Sequence, residues 1–157
     1  MNEIRISGPF VSAAFLCEKI LVERDNTPSY IRAIDRFTIT TFEQLPPGVQ
    51  TPPPATIQVT IAISLKAGDV GAGSHKLRIV QRKPDGSTGM DVTVPVFLSG
   101  SDDNGAILGL PIAIPNPEEG LHWFDVYFEE TMLLTRIAMR ILFQPVMPYQ
   151  AAPLGSQ

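Results

Sequence analysis

The chain has 157 residues, 44% of them hydrophobic and 18% charged, with a formal net charge of −4 and a pI near 5.1. That apolar content suits one packed domain and excludes a disordered chain. A single cysteine, Cys17, excludes a disulfide scaffold, and no apolar run approaches the ~20 residues of a membrane-spanning helix.

Fifteen prolines and twelve glycines fit short strands with frequent turns better than long helices. Residues 3–7 suggest a short edge strand closed by Gly8-Pro9. The apolar run from Pro9 to Cys17 lacks the basic flank of a signal peptide. Together with the lone cysteine, this gives a cytoplasmic expectation. Residues 10–24 are ambiguous: Leu16, Ile20 and Glu23, or Phe15, Lys19 and Val22, have helical spacing, while the β-branched and aromatic content favours a strand with a bulge near Glu18. Asp25-Asn26-Thr27-Pro28 is a turn. Residues 29–41 alternate, with Ile31, Ala33, Phe37 and Ile39 on one side; Asp35 falls on that apolar side, at a bulge or buried and paired. Residues 43–55 hold five prolines and read as a stiff crossover between sheets, a PxxP ligand being the alternative.

Residues 56–66 show the cleanest alternation. Ile57, Val59, Ile61, Ile63 and Leu65 point to a core, and Gln58, Thr60, Ala62, Ser64 and Lys66 to water. Residues 75–83 form a strand with Leu77 and Ile79 inward, followed by a turn at Pro84-Asp85-Gly86-Ser87. In residues 89–98, Met90, Val92, Val94 and Val96 share a face, and Pro95 marks an edge strand or a bulge. Residues 106–114 are a short apolar strand broken by Gly109 and Pro111.

Residues 120–143 read as a hairpin turning at Glu129–Met132. Phe128 then faces Leu133, Val126 faces Thr135, Phe124 faces Ile137 and His122 faces Met139. On the other side Tyr127 meets Leu134, Asp125 meets Arg136 and Trp123 meets Ala138. A slip of one residue would turn the apolar face outward, so the register is well specified. After Phe143 the periodicity ends. The expected organisation is a β-sandwich domain over residues 1–144 and a flexible tail over 145–157. The expected fold is all-β, an immunoglobulin-like antiparallel β-sandwich of about eight strands.

Candidate sites are few. Gly71-Ala72-Gly73-Ser74-His75-Lys76 lacks Walker spacing and precedes a strand, so no nucleotide cofactor is expected. Asp102, Asp103 and Asp85, with Asp69, could offer oxygen ligands to Ca²⁺ from end loops; the alternative is solvated turn chemistry. His75 and His122 lie in no ligand spacing, and His122 fits a hydrogen-bonded structural role. Cys17 fits inert packing. No nucleophile motif appears, so no catalytic residue and no enzyme activity is expected. No basic stripe is visible along the chain, which argues against nucleic acid.

The strongest functional signal is Trp123 and Tyr127 on the hairpin's non-core face, beside Asp125, Arg136 and Arg140. Aromatic and arginine side chains on one face suit a protein partner or a second copy of the chain. Cover by the same chain and stacking on a sugar are the alternatives. The function expected is a non-enzymatic protein-interaction or self-association module, the alternative being a Ca²⁺- or carbohydrate-binding module using the end loops.

The segments Ala13–Ile39 and Gly120–Phe143, through Ile31-Arg32-Ala33-Ile34-Asp35-Arg36-Phe37 and Leu134-Thr135-Arg136-Ile137, resemble a family of small uncharacterised bacterial β-sandwich proteins. The resemblance implies one such domain over about residues 1–144 and carries no activity.

Overall fold

A computed structural model describes residues 7–41, 54–100 and 104–145. Nine strands form two sheets: β1 (Phe10–Val22), β2 (Pro28–Ile34), β3 (Arg36–Thr41), β4 (Thr56–Lys66), β5 (Gly73–Arg82), β6 (Thr88–Leu98), β7 (Gly105–Pro115), β8 (Gly120–Phe128) and β9 (Met132–Pro145). One sheet has the order β2-β1-β4-β7, the other β3-β9-β8-β5-β6. The fold is an all-β sandwich, and none of the described residues is helical.

The core lies where the alternating apolar rows of both sheets meet. Leu16, Ile61, Ile63 and Leu65 of the four-stranded sheet join Leu77, Ile79, Phe124, Met139 and Ile141 of the five-stranded sheet, all essentially inaccessible. Each such side chain contributes about 1.5–3 kcal/mol through removal from water. β4 pairs with β7 along eleven consecutive residues, so β7 is unbroken at Gly109 and Pro111. β7 is an edge strand, and an edge tolerates the missing N–H of Pro111. Gly109 leaves room for Ile20: a Cβ there would stand 2.8 Å from Ile20 Cδ1. Pro95 likewise sits in an edge strand, β6.

Several expectations change. The 29–41 segment is two strands in different sheets, with Asp35 the single exposed residue between them. Its carbonyl accepts from the Arg140 N–H at 2.9 Å. Ala33 is exposed, not inward. β3 pairs with β9 in parallel, so the sandwich is not wholly antiparallel. In β1 the register shift against β4 falls between Val11 and Ala13. The ladder with β2 also skips the Glu18/Arg32 pair, where Arg32 has φ of 48°. Thr60 and Ala62, expected in water, are buried on the outer side of β4.

In the β8–β9 hairpin, five of the expected pairs hold, from His122↔Met139 to Val126↔Thr135. The register then shifts by one. Tyr127 meets Leu133 and Phe128 meets Met132, so Leu134 is the extra residue of a bulge rather than the partner of Tyr127. Glu129 and Glu130 turn the chain with φ of 47° and 71°. The edge strand expected at 3–7, the proline-rich connection and the tail from 146 lie outside the described residues; β9 itself continues through Pro145.

Candidate functional site: the outer face of the five-stranded sheet

Strand alternation decides which side chains leave the core. In β8 it turns Trp123, Asp125 and Tyr127 to the outer side, opposite the inward Phe124 and Val126. In β9, Arg136, Ala138 and Arg140 alternate with the inward Ile137, Met139 and Ile141. β5 adds Lys76, Arg78 and Arg82, β6 adds Asp91, and β3 adds Arg36 and Thr38. All five residues expected on an interaction face are therefore on one face. Among the described residues it holds six of the chain's twelve lysines and arginines but only two of its sixteen acids, Asp91 and Asp125, on its strands. No linear stretch of the sequence shows this basic surface, because its six cations come from three strands, β3, β5 and β9, that are distant in sequence.

The face is a graded network. Asp125 is 5% exposed. Arg136 Nε donates to its Oδ1 at 2.6 Å, Arg82 Nε to its Oδ2 at 3.4 Å and the Tyr127 hydroxyl to its Oδ2 at 3.4 Å. The Arg136 guanidinium lies 4.8 Å from the centre of the Trp123 ring, a cation–π contact. Arg78 grips Asp91 with two bonds, at 2.8 and 2.6 Å. Its hydrogen bonds and charge hold the Asp91 carboxyl below the ordinary range. Arg82 also donates to the Thr88 hydroxyl at 2.9 Å. Trp123 and Tyr127 are half-buried: cover by the same chain is part of their role, through Arg136 and Asp125.

Two arginines stand outside this network. Arg36 and Arg140 are direct neighbours across the β3–β9 ladder, both are exposed, and neither forms an ion pair with a described residue.

Other candidates resolve differently. Asp85 accepts from the Ser87 N–H at 2.8 Å, and bonds from Ser87 lower its pKa. It lies in the β5–β6 turn, whereas Asp102 and Asp103 follow β6. The eleven-residue β6, roughly 36 Å when extended, separates Asp85 from Ser99, and Asp85 is engaged within its own turn by Ser87. Asp102 and Asp103 lie outside the described residues. Asp69 accepts from the Gly8 N–H. Among the described residues no three metal-ligating side chains cluster. Cys17 is buried, and burial pushes its thiol up.

His122 is structural. Its Nε2–H donates to the Glu118 carbonyl at 2.8 Å, and its Nδ1 accepts from Gln81 Nε2 at 3.2 Å. Gln81 in turn accepts from the Met90 N–H. Gly89 permits this, since a Cβ there would fall 2.5 Å from Gln81 Oε1. A cavity of about 310 Å³ opens beside this chain of bonds, between β6 and the β7–β8 connection, with the Lys83–Glu118 pair at 2.8 Å among its lining residues. His75 points Nε2 at the Gly71 carbonyl, at 3.0 Å, and Nδ1 at the Glu129 carboxylate, at 2.8 Å. Those two acceptors raise its pKa, the carbonyl foremost.

No family model matches the chain, and no curated protein matches it significantly. Among solved structures, the sensor domain of an anti-sigma factor from Pseudobacteroides cellulosolvens shares 10% identity, covers 55% of this chain and 82% of its own, and gives a TM-score of 0.37. The CARDB domain of a Pyrococcus furiosus protein, in complex with di-metal ions, shares 11% identity, covers 90% and 93%, and gives 0.41. Likenesses of this size carry no argument about what this chain binds.

Proposed function

We propose that the protein is a non-enzymatic interaction module of immunoglobulin-like build, a member of the small bacterial β-sandwich family it resembles, and that its partner surface is the outer face of the five-stranded sheet. The observation that carries this reading is the concentration of cations around Trp123 and Tyr127 on one face of an acidic chain. Aromatic side chains and arginines are enriched where binding energy concentrates, and a basic face on an acidic protein orients and selects its partner. The partner is another protein or a second copy of this chain.

A photoreactive residue at Ala138, at the centre of the face, tests the reading against one at Gln58, on the outer side of β4. In the native host, a discrete adduct from Ala138 and none from Gln58 is expected. Equal adducts from both, or an adduct from Gln58 alone, would contradict it. Light scattering of the purified chain separates self-association from a different partner.

A further inference from the structure

We infer that Arg36 and Arg140 form the anchor of this surface, a two-guanidinium cradle for the carboxylates of an acidic protein segment. The inference rests on the reading of the face as an interaction surface and names what it takes.

The contrast within the face carries the argument. Arg78 has Asp91, and Arg82 and Arg136 share Asp125. Only Arg36 and Arg140, among the face's arginines, have no carboxylate partner among the described residues, and they are placed side by side. Like charges directly opposite on neighbouring strands repel and destabilise a sheet. A bound anion removes that repulsion, and guanidinium forks match carboxylates in paired hydrogen bonds. The surroundings fit an extended peptide: Leu121 pairs with Arg140, and Thr38 and Leu142 make the next pair of the β3–β9 ladder on the same face.

Nucleic acid fits less well. Two uncompensated cations would neutralise few phosphates, and salt-sensitive affinity for a polyanion scales with that number. A stacking platform for bases is also occupied, since Arg136 already lies over Trp123. The cavity beside His122 and a second of about 360 Å³ lined by Glu18, Gln58 and Thr60 both lie off the face, which among the described residues presents an open strand surface suited to an extended chain.

The test is an NMR titration of the intact chain with poly-L-glutamate at low salt, with a single-stranded oligothymidine as the comparison polyanion. Shifts are expected at Arg36, Thr38, Leu121 and Arg140. Arg36→Gln and Arg140→Gln should each weaken binding about tenfold, the worth of one charge-assisted hydrogen bond. Lys19→Gln, on the other sheet, should change it less than about twofold. Thermal melts should show both arginine variants at least as stable as the parent, which excludes unfolding as the cause. Shifts centred on Arg78 and Arg82, or an equal loss for Lys19→Gln, would overturn the anchor. The oligonucleotide binding more tightly than poly-L-glutamate at equal salt would overturn the carboxylate assignment. A discrete adduct from Ala138 with no dependence on Arg36 or Arg140 would sink this inference and leave the proposed function standing. No shift anywhere on the face, with no adduct from Ala138, would end both.

Discussion

Removing one of the two facing arginines should stabilise the fold. Arg36 and Arg140 are paired across parallel strands, whose backbones are about 4.8 Å apart. Splaying of the long side chains puts the two charges at roughly 7 Å. In water-like surroundings two unit charges at that distance repel by about 0.6 kcal/mol. Threonine, which suits an exposed strand position, would replace either arginine without losing a paired group. For a domain of this size, 1 kcal/mol moves Tm by about 2–4 °C, so Arg36→Thr or Arg140→Thr should raise it by about 1–2 °C. The sharper signature is the double-mutant cycle. Once one charge is gone, removing the other gains nothing, and the cycle should return a repulsive coupling near 0.6 kcal/mol. In 1 M salt, where screening acts over about 3 Å, the coupling should vanish. Urea unfolding of the four proteins at low and high salt measures it. A coupling of zero at low salt, or one that salt leaves unchanged, refutes the claim that these charges face each other uncompensated.

Other predictions follow from the same geometry. Asp125→Asn removes the carboxylate that Arg82, Arg136 and Tyr127 share; with both arginines more than a third exposed, the cost should be about 1–2 kcal/mol in urea unfolding, with a shifted emission from Trp123 as Arg136 moves. Stability should also depend on pH through His75, both of whose ring nitrogens face acceptors, so the protonated ring is the satisfied one. Because its folded pKa is raised above 6.5, its contribution is complete below that value and is lost as pH rises through the folded pKa. His75→Gln should flatten this dependence in urea titrations across that range, and an unchanged slope would reject the assignment. Gly105→Ala should cost about 3 kcal/mol or more, since its Cβ would fall 1.7 Å from the Leu65 carbonyl oxygen. Gly71→Ala, which meets open space, should be neutral or stabilising by up to about 1 kcal/mol in the same assay.

Side-chain rhythm made much of the fold legible. The two-residue period placed Ile57, Ile61, Leu77, Phe124 and Ile137 in one interior, and pairing by charge and apolarity set most of the β8–β9 register. Failure came where the period breaks. Leu134 is a bulge with no composition cue, and a plausible alternation across Asp35 hid the passage between sheets. Thr60 and Ala62 look like water-facing residues, yet the outer side of β4 is covered at those two positions. The candidate face was legible only where it is local: Trp123, Asp125, Tyr127, Arg136 and Arg140 belong to one hairpin. Arg78 and Arg82 were visible as alternate positions of HKLRIVQRK, but nothing in the sequence says that β5 lies beside β8. Arg36 needed the parallel β3–β9 pairing, a long-range contact that no local pattern announces.

The most direct test uses the chain's single tryptophan, Trp123, as a reporter on the face itself. Once the partner is isolated through the Ala138 adduct, acrylamide quenching of Trp123 can be followed during its titration. The account predicts that the partner protects Trp123, and that the protection is lost in Arg36→Gln and Arg140→Gln at the same concentration. Saturated binding with quenching unchanged would contradict it and would place the interaction elsewhere on the sandwich.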